Sequence, residues 1–308
     1  QPEVDFRDLV QKFMDIRKRA FKFPLLGKKT KFIAIPTTSG TGSEVTPFAV
    51  ISDKANNRKY PIADYSLTPT VAIVDPALVL TVPGSVAADT GMDVLTHATE
   101  AYVSQMASDF TDGLALQAIK LVFENLESSV KNADFHSREK MHNASTIAGM
   151  AFANAFLGIS HSMAHKIGAQ FHTIHGRTNA ILLPYVIRYN GTRPAKTATW
   201  PKYNYYRADE KYQDIARMLG LPCSTPEEAV EAYAKAVYEL GERCGIEMNF
   251  KAQGIDEKEW KKHSRELAFL AYEDQCSPAN PRLPMVDHMQ EIIEDAYYGY
   301  KERPGRRK

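Results

Sequence analysis

The sequence has few cysteines, no excess of charge of either sign and no long apolar run. Cys223, Cys244 and Cys276 are widely spaced and form no CxxC pair, which argues against a structural zinc knuckle and predicts a reducing cytoplasm. The 38 basic residues balance 37 acidic ones, so neither nucleic acid nor a membrane surface is expected as a partner. No apolar stretch approaches the roughly 20 residues of a membrane span, and the N-terminus does not resemble a signal peptide.

Three common functional motifs are also absent: GxGxxG, a GK[ST] P-loop and HExxH. The absence of HExxH argues against a simple zinc hydrolase. The segment IPTTSGTGSEVTPFAV instead predicts a strand end, a turn with Gly40 and Gly42, and then a helix. Its hydroxyl groups could contact a phosphate or ribose at the helix N-terminus, or could simply belong to a polar turn. They are Thr37, Thr38, Ser39 and Thr41. Lys59 could pair with a phosphate or be a solvated loop lysine.

The hydrophobic pattern divides the chain into two parts. An amphipathic helix is predicted over 4–22, and short buried strands over 31–36 and 71–75, with a hairpin-like stretch between the strands. After residue 83 the pattern becomes helical. The helices are predicted at 85–105, 110–130, 138–158, 161–171, 210–219, 226–245, 256–273 and 285–299. We therefore expect a multi-domain α/β plus all-α protein, with a partial α/β portion over 1–83 and an all-helical domain over 84–308.

Asp93 and His97 are four residues apart, so a helix would place them on one face. His161 and His165 repeat this spacing, and His172 and His175 complete a cluster of four histidines in fifteen residues. A carboxylate with imidazoles and no nearby cysteine is typical of a catalytic divalent metal, which needs three or four protein ligands and one open position. Spacing leaves open which two of the four histidines complete the site.

Several long motifs resemble a known family. TTSGTGSEVTPFAVISD, DPALVLTVPGS, GMDVLTHATEAYVS and HSMAHKIGAQFHTIHGRTNAILLP are similar to iron-dependent (group III) alcohol dehydrogenases. NAFLGISHSMAHKIGAQF, DQCSPANPRLP and AYYGYKERPGRR resemble, more narrowly, the C-terminal alcohol dehydrogenase half of bacterial bifunctional aldehyde-alcohol dehydrogenases. The resemblance implies a dehydroquinate synthase-like architecture, with a dinucleotide-binding portion followed by a helical metal-binding domain.

The resemblance also selects the site residues. It implies Fe(II), with Zn(II) as a possible substitute, held by Asp93, His97, His161 and His175. His165 would then lie beside the metal, in the proton path. An NAD(H) site is implied at Thr37, Thr38, Thr41, Lys59 and Leu78.

The implied reaction is the reversible reduction of a short-chain aldehyde such as acetaldehyde to a primary alcohol such as ethanol by NADH, with the metal as a Lewis acid. The implied partners are the small-molecule substrate, further copies of the chain in a homo-oligomer or filament, and an N-terminal aldehyde dehydrogenase domain fused to it.

One departure from the family concerns the cofactor. The GGGS-type loop that holds the pyrophosphate in this family is absent from the 308 residues, so we expect the N-terminal part of the dinucleotide-binding domain to be missing and the chain to be part of a longer protein. The alternative is a truncated, catalytically impaired assembly module. A lyase of the dehydroquinate synthase type is a third possibility, although Asp-x3-His followed by HSMAH and TIHG fits the dehydrogenase pattern better.

Overall fold

The computed structural model describes residues 24, 26–27, 30–53, 58–194 and 205–299, with the side chains of 52, 53 and 58–61 excepted. The predicted helix over 4–22 and the side chain of Lys59 lie outside the described residues.

Four short strands form the first part of the chain. Strand β1 (Ile33–Ala34) pairs in parallel with β4 (Val71–Ala72), and β2 (Phe48–Asp53) pairs antiparallel with β3 (Arg58–Ala63), with Phe48 opposite Ala63. The two predicted strands and the predicted hairpin are therefore present, although β1 and β4 are only two residues long. The prediction that these strands are buried is wrong, because Ile33 and Val71 are exposed.

The prediction of a helix after Gly40 and Gly42, in the segment over 37–46, is wrong. A single 3-10 turn, Ser43–Val45, is followed directly by β2. Pro47 disfavours the helical conformation at Thr46, which is extended with φ −109° and ψ 151°. The β-branched and aromatic residues that follow favour a strand.

Nine α-helices occupy the rest of the described chain. They are α1 (Gly84–Val103), α2 (Asp109–Lys131), α3 (Phe135–Ala155), α4 (Ile159–Phe171), α5 (His175–Gly191), α6 (Ala208–Met218), α7 (Pro226–Arg243), α8 (Glu257–Tyr272) and α9 (Val286–Tyr298). The sequence pattern predicts all of them except α5. That helix contains Pro184 and is buried on nearly every side, so it lacks the alternation of polar and apolar residues that marks an amphipathic helix.

Two apolar clusters hold the helices together. The first joins α1, α2 and α3 to α6 and α7, and the second joins α4 and α5 to α8 and α9. Helix α1 packs against α2, α3 and α5, so its polar residues Asp93, His97 and Glu100 are held inside the protein.

The predicted fold class, a partial α/β portion followed by helices, is confirmed. No single helix in the described part of the chain is long and apolar enough to cross a bilayer, and only α3 and α4 taken together, across a bend of 106°, meet that criterion.

Candidate metal and dinucleotide site

Three helices bring Asp93, His97, His161 and His175 together. Asp93 and His97 lie one turn apart on α1, His161 lies in the first turn of α4, and His175 is the first residue of α5. Gly176 allows α5 to begin directly against α1, because a Cβ at this position would lie 2.2 Å from the Asp89 carbonyl oxygen. The Arg177 guanidinium also binds the Asp89 carboxylate, at 2.8 and 3.1 Å.

Asp93 is at the centre of the cluster. Its Oδ2 lies 4.0 Å from His97 Nε2, and its Oδ1 lies 3.7 Å from His161 Nε2 and 3.8 Å from His175 Nε2. The His97 and His161 rings are stacked, with centroids 4.7 Å apart. The ligand atoms of Asp93, His97 and His161 all lie within 4.8 Å of one another. One ion could therefore contact these three side chains. His175 lies outside this set of three and is linked to it by its 3.8 Å distance from Asp93 Oδ1.

The cluster is closed on one side and open on the other. The side chains of Asp93 and His97 are 6% exposed and that of His161 is 2% exposed, whereas that of His175 is 43% exposed. His165, on the same face of α4 as His161, is 35% exposed and stacks on His175 with ring centroids 5.5 Å apart. His172 is an exposed residue that ends α4 in a left-handed conformation. The open side therefore carries His175 and His165.

Glu100 orients His161. Its Oε2 is hydrogen-bonded to His161 Nδ1, and its Oε1 accepts the Ser160 backbone N–H at 2.7 Å. Burial raises the pKa of Glu100 to about 7 and lowers that of His161 well below its usual value. A neutral His161 is the form that can bind a metal. The sequence places Glu100 seven residues after Asp93 on the same helix face, but its contact with α4 was not predicted.

Asn179 and three histidines surround the Asp93 carboxylate. The Asn179 Nδ2 group donates to Asp93 Oδ1 at 2.9 Å and lies 3.3 Å from His175 Nε2. Burial tends to raise the pKa of Asp93, but His97, His175 and His161, together with the Asn179 hydrogen bond, lower it below the usual range. Asp93 is therefore an ionised ligand candidate. Asn179, four residues after His175, was also not predicted.

His165 takes part in a second polar group that the sequence does not predict. Its Nδ1 lies 3.2 Å from Asp274 Oδ2, which also accepts from Lys166 Nζ at 2.8 Å. Asp274 Oδ1 accepts the Cys276 backbone N–H at 3.0 Å, and burial raises the pKa of the Cys276 thiol. His165, Asp274 and Cys276 could themselves hold an ion. No spacing rule connects residues 109 positions apart, although DQC contains two ligand types.

Four of the five predicted dinucleotide residues lie in two segments that both pack on α3, and the fifth, Lys59, is on β3. Thr37 and Thr41 are exposed and Thr38 is half-buried, and the Thr41 hydroxyl accepts from the Ser43 N–H and hydroxyl. Leu78 is 43% exposed, on the 3-10 turn Pro76–Val79. Both 3-10 turns, Ser43–Val45 and Pro76–Val79, contact α3.

Two family models match the chain. Residues 87–297 match the C-terminal part of the Fe-containing alcohol dehydrogenase family, and residues 5–76 match the iron-containing alcohol dehydrogenase model.

Known proteins show the same relationship. The chain is 97% identical, over all 308 residues, to an aldehyde-alcohol dehydrogenase of Streptococcus pneumoniae serotype 2, and it spans 35% of the length of that protein. An iron-containing alcohol dehydrogenase structure from Thermococcus thioreducens is 36% identical with a TM-score of 0.82, covering 97% of this chain and 72% of that one. A sulfoacetaldehyde reductase from Bifidobacterium kashiwanohense, solved with NAD+, is 29% identical with a TM-score of 0.75, covering 91% and 67%. The predicted resemblance is therefore confirmed, and the chain belongs to the iron-containing alcohol dehydrogenase family.

Proposed function

We propose that the chain is the alcohol dehydrogenase module of a longer protein, and that it interconverts a short-chain aldehyde such as acetaldehyde and a primary alcohol such as ethanol with NAD(H). The observation that carries the proposal is the convergence of one carboxylate and three imidazoles on a buried site with one open side. Such a site can hold an ion and still admit a substrate oxygen.

Asp93, His97, His161 and His175 are the proposed metal ligands. His161 Nε2 is buried without a hydrogen-bond partner. It faces Asp93 Oδ1 at 3.7 Å, which is too long for a hydrogen bond. A ligand bond would satisfy this atom, whose isolation is otherwise unfavourable. Carboxylate and imidazole ligands suit Fe(II), with Zn(II) as a substitute. When bound, the ion would withdraw charge from the substrate oxygen and the nicotinamide would exchange a hydride with the substrate carbon.

The residues around the ligands orient them. Glu100 holds His161 by Nδ1, which leaves Nε2 directed at Asp93, and Asn179 holds the Asp93 carboxylate. Partners of this kind fix the ring orientation and the tautomer of a ligating histidine. Because His175 is the exposed member of the set, the substrate would approach beside His175 and His165.

The dinucleotide would lie against the 37–46 segment and the 76–79 turn, at Thr37, Thr38, Thr41 and Leu78, with Lys59 as a further proposed contact. The structurally similar sulfoacetaldehyde reductase was solved with NAD+, which supports the choice of cofactor. The proposed position is supported by the exposure of Thr37 and Thr41.

The longer protein is proposed to carry an aldehyde dehydrogenase domain before this chain, since the aldehyde-alcohol dehydrogenase of S. pneumoniae is about three times as long. We also propose that it acts in the cytoplasm and forms a homo-oligomer or filament.

His165→Ala is expected to lower kcat about tenfold, less than the roughly 100-fold or more of direct general acid–base catalysis, because water can reach this half-exposed position. We propose that His165 relays a proton between solvent and the substrate oxygen, and steady-state rates from pH 6 to 9 would test this. An unchanged rate with an unchanged pH profile would contradict the role.

The alternative, an assembly module with impaired dinucleotide binding, is favoured by the β1–β4 sheet. Its two strands and their flanks expose apolar side chains, which is unusual for a parallel sheet. The exposed side chains are Phe32, Ile33, Ile35, Val71 and Ile73. We therefore expect the 308-residue chain to bind NADH more weakly than the longer protein while binding iron equally well. Isothermal titration of both forms measures this difference, and equal NADH affinity would contradict it.

The proposed reaction is tested by loading the longer protein with Fe(II) under anaerobic conditions and following NADH absorbance after acetaldehyde is added. NADH should be oxidised, and His161→Ala should abolish the reaction. His136→Ala, which changes an exposed histidine of α3, is the matched control and should retain it. Iron binding by the longer protein without oxidation of NADH would contradict the proposed reaction, and iron binding by the 308-residue chain without NADH binding would favour the assembly module.

A further inference from the structure

One face of α3 contacts both segments proposed to bind the dinucleotide. Arg138, His142, Thr146 and Gly149 are spaced by four, four and three residues, which places them along one side of the helix. Arg138 Nη1 and Nη2 donate to the carbonyl oxygens of Val79 and Val82, at 3.1 and 2.8 Å. This buried guanidinium therefore attaches the chain around Leu78 to α3.

The next two residues of the face hold the 37–46 segment. His142 Nδ1 and the Ser39 hydroxyl are hydrogen-bonded at 3.0 Å, and the Thr146 hydroxyl donates to Glu44 Oε1 at 2.6 Å. His142 is 1% exposed and Glu44 is 4% exposed. Burial lowers the pKa of His142, which favours the neutral ring. A neutral imidazole nitrogen can accept a hydrogen bond from a hydroxyl or donate one to it, according to the tautomer.

Two glycines bring the segment into backbone contact with α3. Gly42 has φ +60°, and a Cβ there would lie 2.7 Å from the Cα of Gly149. The segment contains only one 3-10 turn of regular structure, so its shape depends on these contacts.

We propose that the α3 face formed by Arg138, His142, Thr146 and Gly149 positions the dinucleotide-binding segments, with His142 and its bond to Ser39 as the central contact. This inference rests on the proposed function. None of the four residues belongs to the proposed ligand set. They hold the 37–46 segment and the 76–82 segment in one fixed relation. Loss of one such contact should therefore weaken dinucleotide binding without removing the metal.

The test uses four single variants of the iron-loaded longer protein and the Ser39→Ala/His142→Leu double variant. His142→Leu and Ser39→Ala each remove the bond from one side, and Ser39→Ala leaves the α3 core intact. His142→Asn can place an amide group near the position of Nδ1 and should restore binding. Asn125→Ala, which removes a hydrogen bond of α2 to the Leu121 carbonyl oxygen, is the control for general loss of stability.

The readouts are the Kd for NADH, the iron content and amide hydrogen exchange over residues 37–46. His142→Leu and Ser39→Ala should each raise the Kd about three- to tenfold, as expected for one lost hydrogen bond, and should speed exchange in the segment at unchanged iron content. The double variant should raise the Kd for NADH no more than either single variant does, because both substitutions remove the same hydrogen bond.

Equal NADH affinity in all variants, or additive effects of Ser39→Ala and His142→Leu, would overturn this inference alone. If the unsubstituted protein failed to bind NADH, the proposed function would fail and this inference with it.

Discussion

Asp93→Asn is expected to remove the metal from the protein and with it the alcohol dehydrogenase activity. Asparagine has the shape of aspartate but no charge, so the buried cluster keeps its packing while losing the anion that lies 3.7 to 4.0 Å from three imidazoles. Loss of one charged partner from a buried set costs about 3–5 kcal/mol, which corresponds to a metal affinity roughly 150- to 4,000-fold weaker. Iron content after gel filtration measures the effect directly.

Thermal unfolding gives a second readout for Asp93→Asn. A ligand that binds only the folded state raises its stability, so Fe(II) or Zn(II) should raise the Tm of the unsubstituted protein and not that of the variant. Asp209→Asn is the matched control, since Asp209 is also a buried helical aspartate with a basic partner, Arg193. An Asp93→Asn protein that retained a full equivalent of iron would contradict the proposed ligand set.

Glu100→Ala is expected to weaken metal binding about 10- to 100-fold, the range typical of a lost partner behind a ligating histidine. The change frees His161 Nδ1 and the Ser160 N–H inside the protein, so the His161 ring loses its fixed orientation. Glu100→Gln keeps the packing but has a single acceptor oxygen for two donors, His161 Nδ1–H and the Ser160 N–H, so it should also weaken metal binding, but by less than Glu100→Ala.

Competition with a chromogenic chelator measures these affinities. Glu124→Ala is the control and should leave the metal affinity unchanged. Glu124 is an exposed residue of α2 whose carboxylate lies 3.9 Å from Lys120 Nζ. A metal affinity of the Glu100→Ala protein equal to that of the unsubstituted protein would show that the carboxylate does not act through His161.

The sequence predicts most of the helices because amphipathic helices carry a periodic signal. It misses α5, because this helix is buried on nearly every side and so has no polar face, and because it contains Pro184. The helix matters for the site, because it sets the position of His175 and supplies Asn179. Spacing within α1 and α4 was informative since i and i+4 share a face, whereas the meeting of α1, α4 and α5 depends on tertiary packing.

The 37–46 segment shows the same limit. Its glycines and hydroxyls indicate a binding turn, but the pattern gives a helix where the structure has a strand that begins after Pro47. The contacts that shape it come from α3, 103 residues away at Ser39 and His142. Asp274 is likewise 109 residues from His165. Hydrogen bonds between residues so far apart leave no local pattern in a single sequence.

The most direct test of the metal site is anomalous X-ray diffraction at the iron edge from crystals of the protein loaded with Fe(II) under anaerobic conditions. The arrangement of Asp93, His97, His161 and His175 predicts one strong peak among these four side chains, within about 2.0–2.3 Å of their oxygen and nitrogen atoms. A peak instead at His165, Asp274 and Cys276, or no peak in protein that oxidises NADH with acetaldehyde, would contradict the account.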